Sequence, residues 1–381
     1  MRRAAFAAIS VPAFMAALSS LAAGPADSGE TPYAWNLPKG FPQPYVPAGN
    51  PMTESKVELG RHLFYDKRLS VNGTQSCATC HRQELAFTDG RAVSLGATGQ
   101  PHSRSAMSLV NVAYSGALTW SNPRMNRLEE QAAVPMFGEH PVELGLKKDD
   151  GWLASLRPDP TYQALFRRAY PEQENAVTRD NVLKAIACFE RGIISARSPY
   201  DRYHYGGEDG AVSGAAKRGE ILFFSQPLSC FRCHGGFNFS DATTSARDPG
   251  REIPFHNTGL YNVSGAFSYP IPNLGIYEYT KRAADVGKFK APSLRNIALT
   301  APYMHDGSIP SLEGVLDHYA VGGRTIPAGE YAGVGHDNPN KDPLIGGFRL
   351  SPQDRQDLIA FLECLTDRAV LNDPKFSDPW K

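Results

Sequence analysis

Apolar residues recur at helical spacing in TRDNVLKAIACFERGIIS, where Val182, Ile186, Phe189 and Ile193 form one stripe behind Thr178, a residue suited to cap a helix. A second stretch, SPQDRQDLIAFLECLTD, opens on Ser351 as cap and Pro352 at the first helical position. The run SLEGVLDHYAVGG, Ser311 to Gly323, reads as a helix end that places His318 and Tyr319 side by side. Period-two alternation is scarce, and Asp241 to Lys290, dense in Gly, Pro and Tyr, reads as ordered loop. The pattern predicts a mainly α chain with much irregular structure.

The first residues carry a different pattern. MRRAAFAAISVPAFMAALSSLAAG has two arginines, an Ala-rich apolar stretch and small residues at Ala22 and Ala23, which predicts a cleaved signal peptide over residues 1–23 and an exported, periplasmic protein. Pro12 and the weakly apolar side chains argue against a permanent anchor, and no later segment is long and apolar enough to span a bilayer. Residues 24–45 are Pro-rich and read as an extended arm. A chain of 381 residues predicts two domains, and the polar, glycine-rich SPYDRYHYGGEDGAVSG separates them: 46–205 and 214–368, with a tail over 369–381. Lys plus Arg (39) equals Asp plus Glu (39), so the chain lacks the basic surplus that nucleic acid rewards.

Six cysteines in an exported chain first suggest disulfides, but four of them lie in CATCH (Cys77, Cys80, His81) and CFRCH (Cys230, Cys233, His234). Two thiols three positions apart add to the vinyl groups of one haem, and the next residue's imidazole reaches its iron. Zinc, the usual rival for such spacing, would need a further Cys or His pair in each half. The flanks repeat as well: Gly60, Leu63, Phe64, Leu69, Ser70, Phe87 and Asp89 correspond to Gly219, Leu222, Phe223, Leu228, Ser229, Phe239 and Asp241. That is a duplicated domain with one haem motif in each copy. Cys188 and Cys364, one in each domain-closing helix, remain for a disulfide or for two free thiols. His318 and Tyr319 point about 100° apart around a helix, so only one of them can face a given iron. Met304 and His305 are further candidates for that face.

The two motifs in their repeated context, FKAPSLRNIALTAPYMHDGSIPSLEGVLDHY (Phe289 to Tyr319) and LTWSNPRMNRLEEQAAVPMFGEHPVELG (Leu118 to Gly145) together resemble the bacterial dihaem cytochrome c peroxidase and MauG superfamily, over nearly the whole mature chain. The resemblance implies two cytochrome c-like haem domains in tandem, two covalent c-type haems with His81 and His234 as proximal ligands, and hydrogen peroxide as oxidant. In the family's peroxidases an axial Met follows the His of P-Y-x-H-D-G by fourteen residues. Fourteen from His305 is Tyr319, the position of the tyrosine ligand in the MauG-like branch. A thioether favours ferrous iron, whereas a phenolate, a hard anion, stabilises the oxidised states.

The same resemblance places Trp120 between the haems as a relay, and Gln131, Pro135 and Glu143 in the distal pocket of the first haem, with Glu143 as acid-base group. It implies a calcium ion between the haems on the carbonyls of Thr300 and Pro302, with Ser105 where the family has Asn. The family's loop histidine has no aligned equivalent: His102 is displaced toward the loop's end, which predicts a five-coordinate first iron. The expected activity is peroxide-driven oxidation of Trp or Tyr side chains on a periplasmic partner protein. The MbnH-like subfamily, whose partner binds copper, has the most similar LTWSNP and VPMFGEHPVELG stretches. The alternatives are a detoxifying dihaem peroxidase fed by a small cytochrome or cupredoxin, and a dihaem electron carrier without catalysis.

Overall fold

The computed structural model describes residues 31–265 and 267–381, so the expected signal peptide over 1–23 lies outside the described residues. The regular structure is helical: α1 (Glu54–Tyr65), α2 (Cys77–Cys80), α3 (Leu128–Phe137), α4 (Pro160–Ala169), α5 (Arg179–Arg191), α6 (Pro199–His204), α7 (Gly214–Phe223), α8 (Tyr277–Thr280), α9 (Leu312–Ala320) and α10 (Pro352–Cys364). Among the described residues, strand is confined to Thr325–Ile326 paired antiparallel with Gly333–Val334. Among the described residues from Asp241 to Lys290 the chain is loop apart from α8 and one 3-10 turn, pinned by backbone hydrogen bonds such as the reciprocal pair between His256 and Phe289. The caps read from sequence are in place: Thr178 accepts from Asn181 N–H, and Ser351 forms a capping box with Asp354 before Pro352.

Each half is organised around one close helix crossing, α1 on α5 and α7 on α10. The repeated glycines make these crossings. A Cβ on Gly60 would lie 1.9 Å from the Ala185 carbonyl oxygen, and one on Gly219 would lie 1.9 Å from that of Asp357. Leu59, Leu63, Ile186, Met136 and Tyr162 fill the first core, and Phe223, Leu316, Leu358 and Phe361 the second. Because the obstructing atoms are helix backbone, Gly60→Ala must push α1 from α5. We expect it to cost on the order of 3 kcal/mol, read as a lower urea midpoint for the holoprotein.

Segments near both ends of the described residues cross between halves. Phe41 of the expected arm packs edge-on against Tyr114 and Phe237 and lies under the buried Arg295 guanidinium, which is paired with Asp201. The tail returns to the first half, where Val370 and Phe376 join Phe64, Phe87 and Phe189 in one core and Tyr65 Oη donates to the Phe376 carbonyl. Cys188 and Cys364 form no bridge. Cys188 is buried in α5 with its thiol toward Asn50, whereas Cys364 packs on the second core.

Candidate active site

The duplicated phenylalanines explain how each motif histidine is aimed. Phe87 (φ 60°) and Phe239 (φ 50°) both sit in the left-handed region, which is uncommon for a bulky residue, and so turn their carbonyls inward. His81 Nδ1 lies 2.9 Å from the Phe87 oxygen and His234 Nδ1 3.2 Å from that of Phe239. With Nδ1–H donating to a carbonyl, Nε2 keeps its lone pair for a metal.

A cavity of about 1410 Å³ runs past both motifs; its walls include Cys77, Cys80, His81, Cys230, Cys233 and His234. That exceeds the space one small ligand needs and suits two large prosthetic groups. The buried Lys290 amine, lowered to about 8 by burial, also lines it and suits the carboxylates that haem carries. The residues fit two c-type haems: paired thiols, an oriented imidazole at each motif, and apolar walls.

Tyr319 is brought into this cavity by α9. Burial raises its phenol, and the Cys233 and Cys230 sulfurs face it across the wall. His318 turns away, edge-on to Tyr319 at 5.0 Å, and burial lowers its pKa to about 4. Met304 and His305 also line the cavity. The His305 ring is stacked on Phe289 at 3.8 Å, and its backbone carbonyl accepts from Ser105 N–H at 2.8 Å.

Trp120 lines the same cavity with its indole N–H donating to the Ser105 carbonyl at 2.9 Å, and its own carbonyl accepts from Lys290 N–H at 3.0 Å. Gln131 and Pro135 lie on α3 and reach the wall near the first motif. Pro135, lacking an N–H, falls near the end of α3, and its carbonyl accepts from Leu144 N–H at 2.8 Å. That bond folds the next segment back and carries Glu143 into the cavity. Burial lifts the Glu143 carboxyl to about 7.

Thr300, Pro302 and Ser105 share this wall, but the Ser105 hydroxyl donates to the Met304 carbonyl at 3.1 Å. A hydroxyl so engaged is a poorer calcium ligand than the amide carbonyl of the family's Asn.

Sequence reasoning missed a charged bridge behind the second motif. His256 Nε2 lies 2.8 Å from Asp241 Oδ2 and its Nδ1 2.6 Å from Asp342 Oδ2. Burial opposes the imidazolium, but the two carboxylates outweigh it and raise the pKa to about 12. Asp241 was visible as the partner of Asp89 in the repeat; His256 and Asp342, far apart in sequence, were not. The nearby Cys233 belongs to the haem motif, and both His256 nitrogens are taken by carboxylates, so the cluster reads as structural.

Comparison with known proteins shows the family. A family profile described as di-haem cytochrome c peroxidase matches residues 54–209, and one described as RoxA-like, cytochrome c-like matches residues 288–320. The chain is 35% identical to the methylamine utilization protein MauG of Methylorubrum extorquens, over 84% of this chain and 80% of that one. It is 34% identical to the cytochrome-c peroxidase IdrP1 of Denitromonas iodatirespirans, over 95% and 94%. A crystal structure of a MauG-like protein associated with microbial copper homeostasis superimposes with a TM-score of 0.89 at 46% identity, covering 92% of this chain and all of that one. With two haem-attachment motifs facing one cavity, the chain is an oxidoreductase that belongs to the dihaem cytochrome c peroxidase and MauG family.

Proposed function

We propose that this protein is an exported, MauG-like enzyme that uses hydrogen peroxide to withdraw electrons from Trp or Tyr side chains of a partner protein. The observation that carries the reading is Tyr319, an oxygen donor where the family's peroxidases use methionine, on the wall that holds Cys230, Cys233 and His234. The two haems, when bound, supply the redox chemistry: peroxide takes two electrons and two protons and leaves as two waters, the electrons coming from the partner.

The chain's own residues supply binding, orientation and protons. His81 and His234, each fixed by a phenylalanine carbonyl, hold the irons. Glu143 would take a proton from one peroxide oxygen and return it to the other, and Gln131 would help hold the peroxide. Trp120, hydrogen-bonded at Ser105 and Lys290, is the relay between the halves. The division at residues 205–214 then separates a peroxide-reacting domain from an oxidising-equivalent store. The copper association of the structural relative supports a copper-binding exported protein as partner. Among the described residues no helix is long and apolar enough to cross a membrane, in keeping with a periplasmic product after signal cleavage. We do not extend the proposal to calcium, because Ser105 is a poorer ligand there than the family's Asn.

The likeness to a cytochrome-c peroxidase favours one second reading, removal of peroxide with electrons from a small redox protein. One experiment separates them. The ferric holoprotein is mixed with peroxide and a copper-binding exported protein, and the partner's mass is followed. A mass change on a Trp or Tyr supports the proposal. Steady peroxide consumption that needs a reduced cytochrome and leaves the partner unmodified assigns the protein to the peroxidases. A wholly low-spin ferric spectrum would remove both, leaving an electron carrier.

A further inference from the structure

His102, displaced in sequence from the family's loop histidine, is placed by the fold beside Glu143. Two loops are sewn together to do this. Ala97 N–H donates to the Glu143 carbonyl at 2.6 Å, and Val142 N–H donates to Gln100 Oε1 at 3.1 Å. Gly96 permits the approach, since a Cβ there would lie 1.8 Å from the Val142 carbonyl oxygen. His102 N–H is tied to the Ser94 carbonyl at 2.8 Å.

The two side chains enter the cavity on the side of Cys77, Cys80 and His81, with His102 Nε2 3.8 Å from Glu143 Oε1. That gap is one small side-chain adjustment from a hydrogen bond, and catalytic contacts commonly tighten when the site is loaded. The far side of the ring is served in either protonation state. His102 Nδ1 lies 3.1 Å from Arg104 N–H, which donates to the neutral ring, and 3.2 Å from the Arg104 carbonyl, which accepts from the charged one. With Arg104 N–H donating to Nδ1, the neutral ring carries its hydrogen on Nε2, toward Glu143.

We propose that His102 is the positioning residue for Glu143: it donates from Nε2–H to the carboxylate, aims it, and favours its ionised form. The inference rests on the reading of Glu143 as the acid-base group of the first haem. The charged groups facing the pair are few. Arg104, on the loop of His102, is held by Glu278; burial, and then the Arg104 charge, lower the pKa of the imidazole. From the first motif, Cys77 and Cys80 face Glu143; as thioethers they carry no charge.

The test is potassium cyanide binding to the ferric holoprotein as a function of pH, because hydrogen cyanide binds iron as an anion and leaves its proton on a distal base. In the wild type the profile should inflect near the Glu143 pKa of about 7. In His102→Ala, loss of the donor should move that inflection up by about one unit, roughly tenfold in the stability of the carboxylate. His102→Gln, which retains an N–H donor, should restore most of the shift. Haem content and the spectrum of the second haem serve as controls for folding. An unmoved inflection in His102→Ala overturns the inference. So does a wild-type first haem that is low-spin and becomes high-spin in His102→Ala, since His102 would then be an iron ligand. If Glu143→Gln itself leaves the profile unchanged, the Glu143 reading fails; if only the His102 variants do, this inference alone fails.

Discussion

Peroxide is expected to raise a near-infrared charge-resonance band in the native holoprotein, and Tyr319→Met is expected to abolish it together with modification of the partner. The half-buried phenol lines the wall that also holds Cys230 and Cys233, and among the described residues no cation lowers its pKa. Burial raises its pKa, so only ligation to ferric iron brings it to the phenolate. A thioether in that place is neutral and soft and shifts the second haem toward its reduced form. The variant should keep both haems, because His234 and its Phe239 carbonyl are untouched. It should gain in turnover with a small reduced cytochrome as donor. A native protein without the band, or a variant that retains it, would sink the role given to Tyr319.

The second large effect is expected at Glu143. Glu143→Gln should lower the rate of reaction with peroxide by about 10²–10⁴-fold, the usual worth of a positioned proton-transfer group. The native rate should rise with pH through about 7, because the carboxylate, not the acid, accepts the peroxide proton. The variant should lose that limb. Stability should move the other way. A carboxyl whose pKa is raised by folding stabilises the native state fully below its unfolded value and loses that contribution as pH climbs through the folded one. At pH 8 the variant should therefore be at least as stable as the native protein in urea, which separates loss of proton transfer from damage to the fold. A variant that reacts with peroxide at the native rate would remove Glu143 from the mechanism.

The local features were the legible ones. A C-x-x-C-H motif places its thiols and imidazole within one turn of chain, so the spacing alone specifies the chemistry. Helix caps are similarly local: Thr178 and Ser351 act on N–H groups three residues ahead. The repeat carried more than it announced. Its glycines proved to be helix crossings and its phenylalanines the carbonyls that aim the two histidines, because duplicated domains reuse the same contacts. Between His318 and Tyr319, helical geometry allowed one, the register from His305 that the resemblance implies pointed to Tyr319, and the cavity wall includes Tyr319 but not His318.

What the sequence by itself determined was therefore the cofactor attachment, the helical class, the duplication and the oxygen donor at position 319. The tertiary structure alone decided how distant segments meet. It brought His102 to Glu143 across 41 residues, bridged Asp241 to Asp342 through His256, returned Val370 and Phe376 to the first core, and kept Cys188 and Cys364 apart. The reason is physical. Attachment motifs and caps are satisfied by neighbours along the chain, whereas a side chain's partner across a cavity depends on how loops close and cores pack, and no short pattern of residues encodes that.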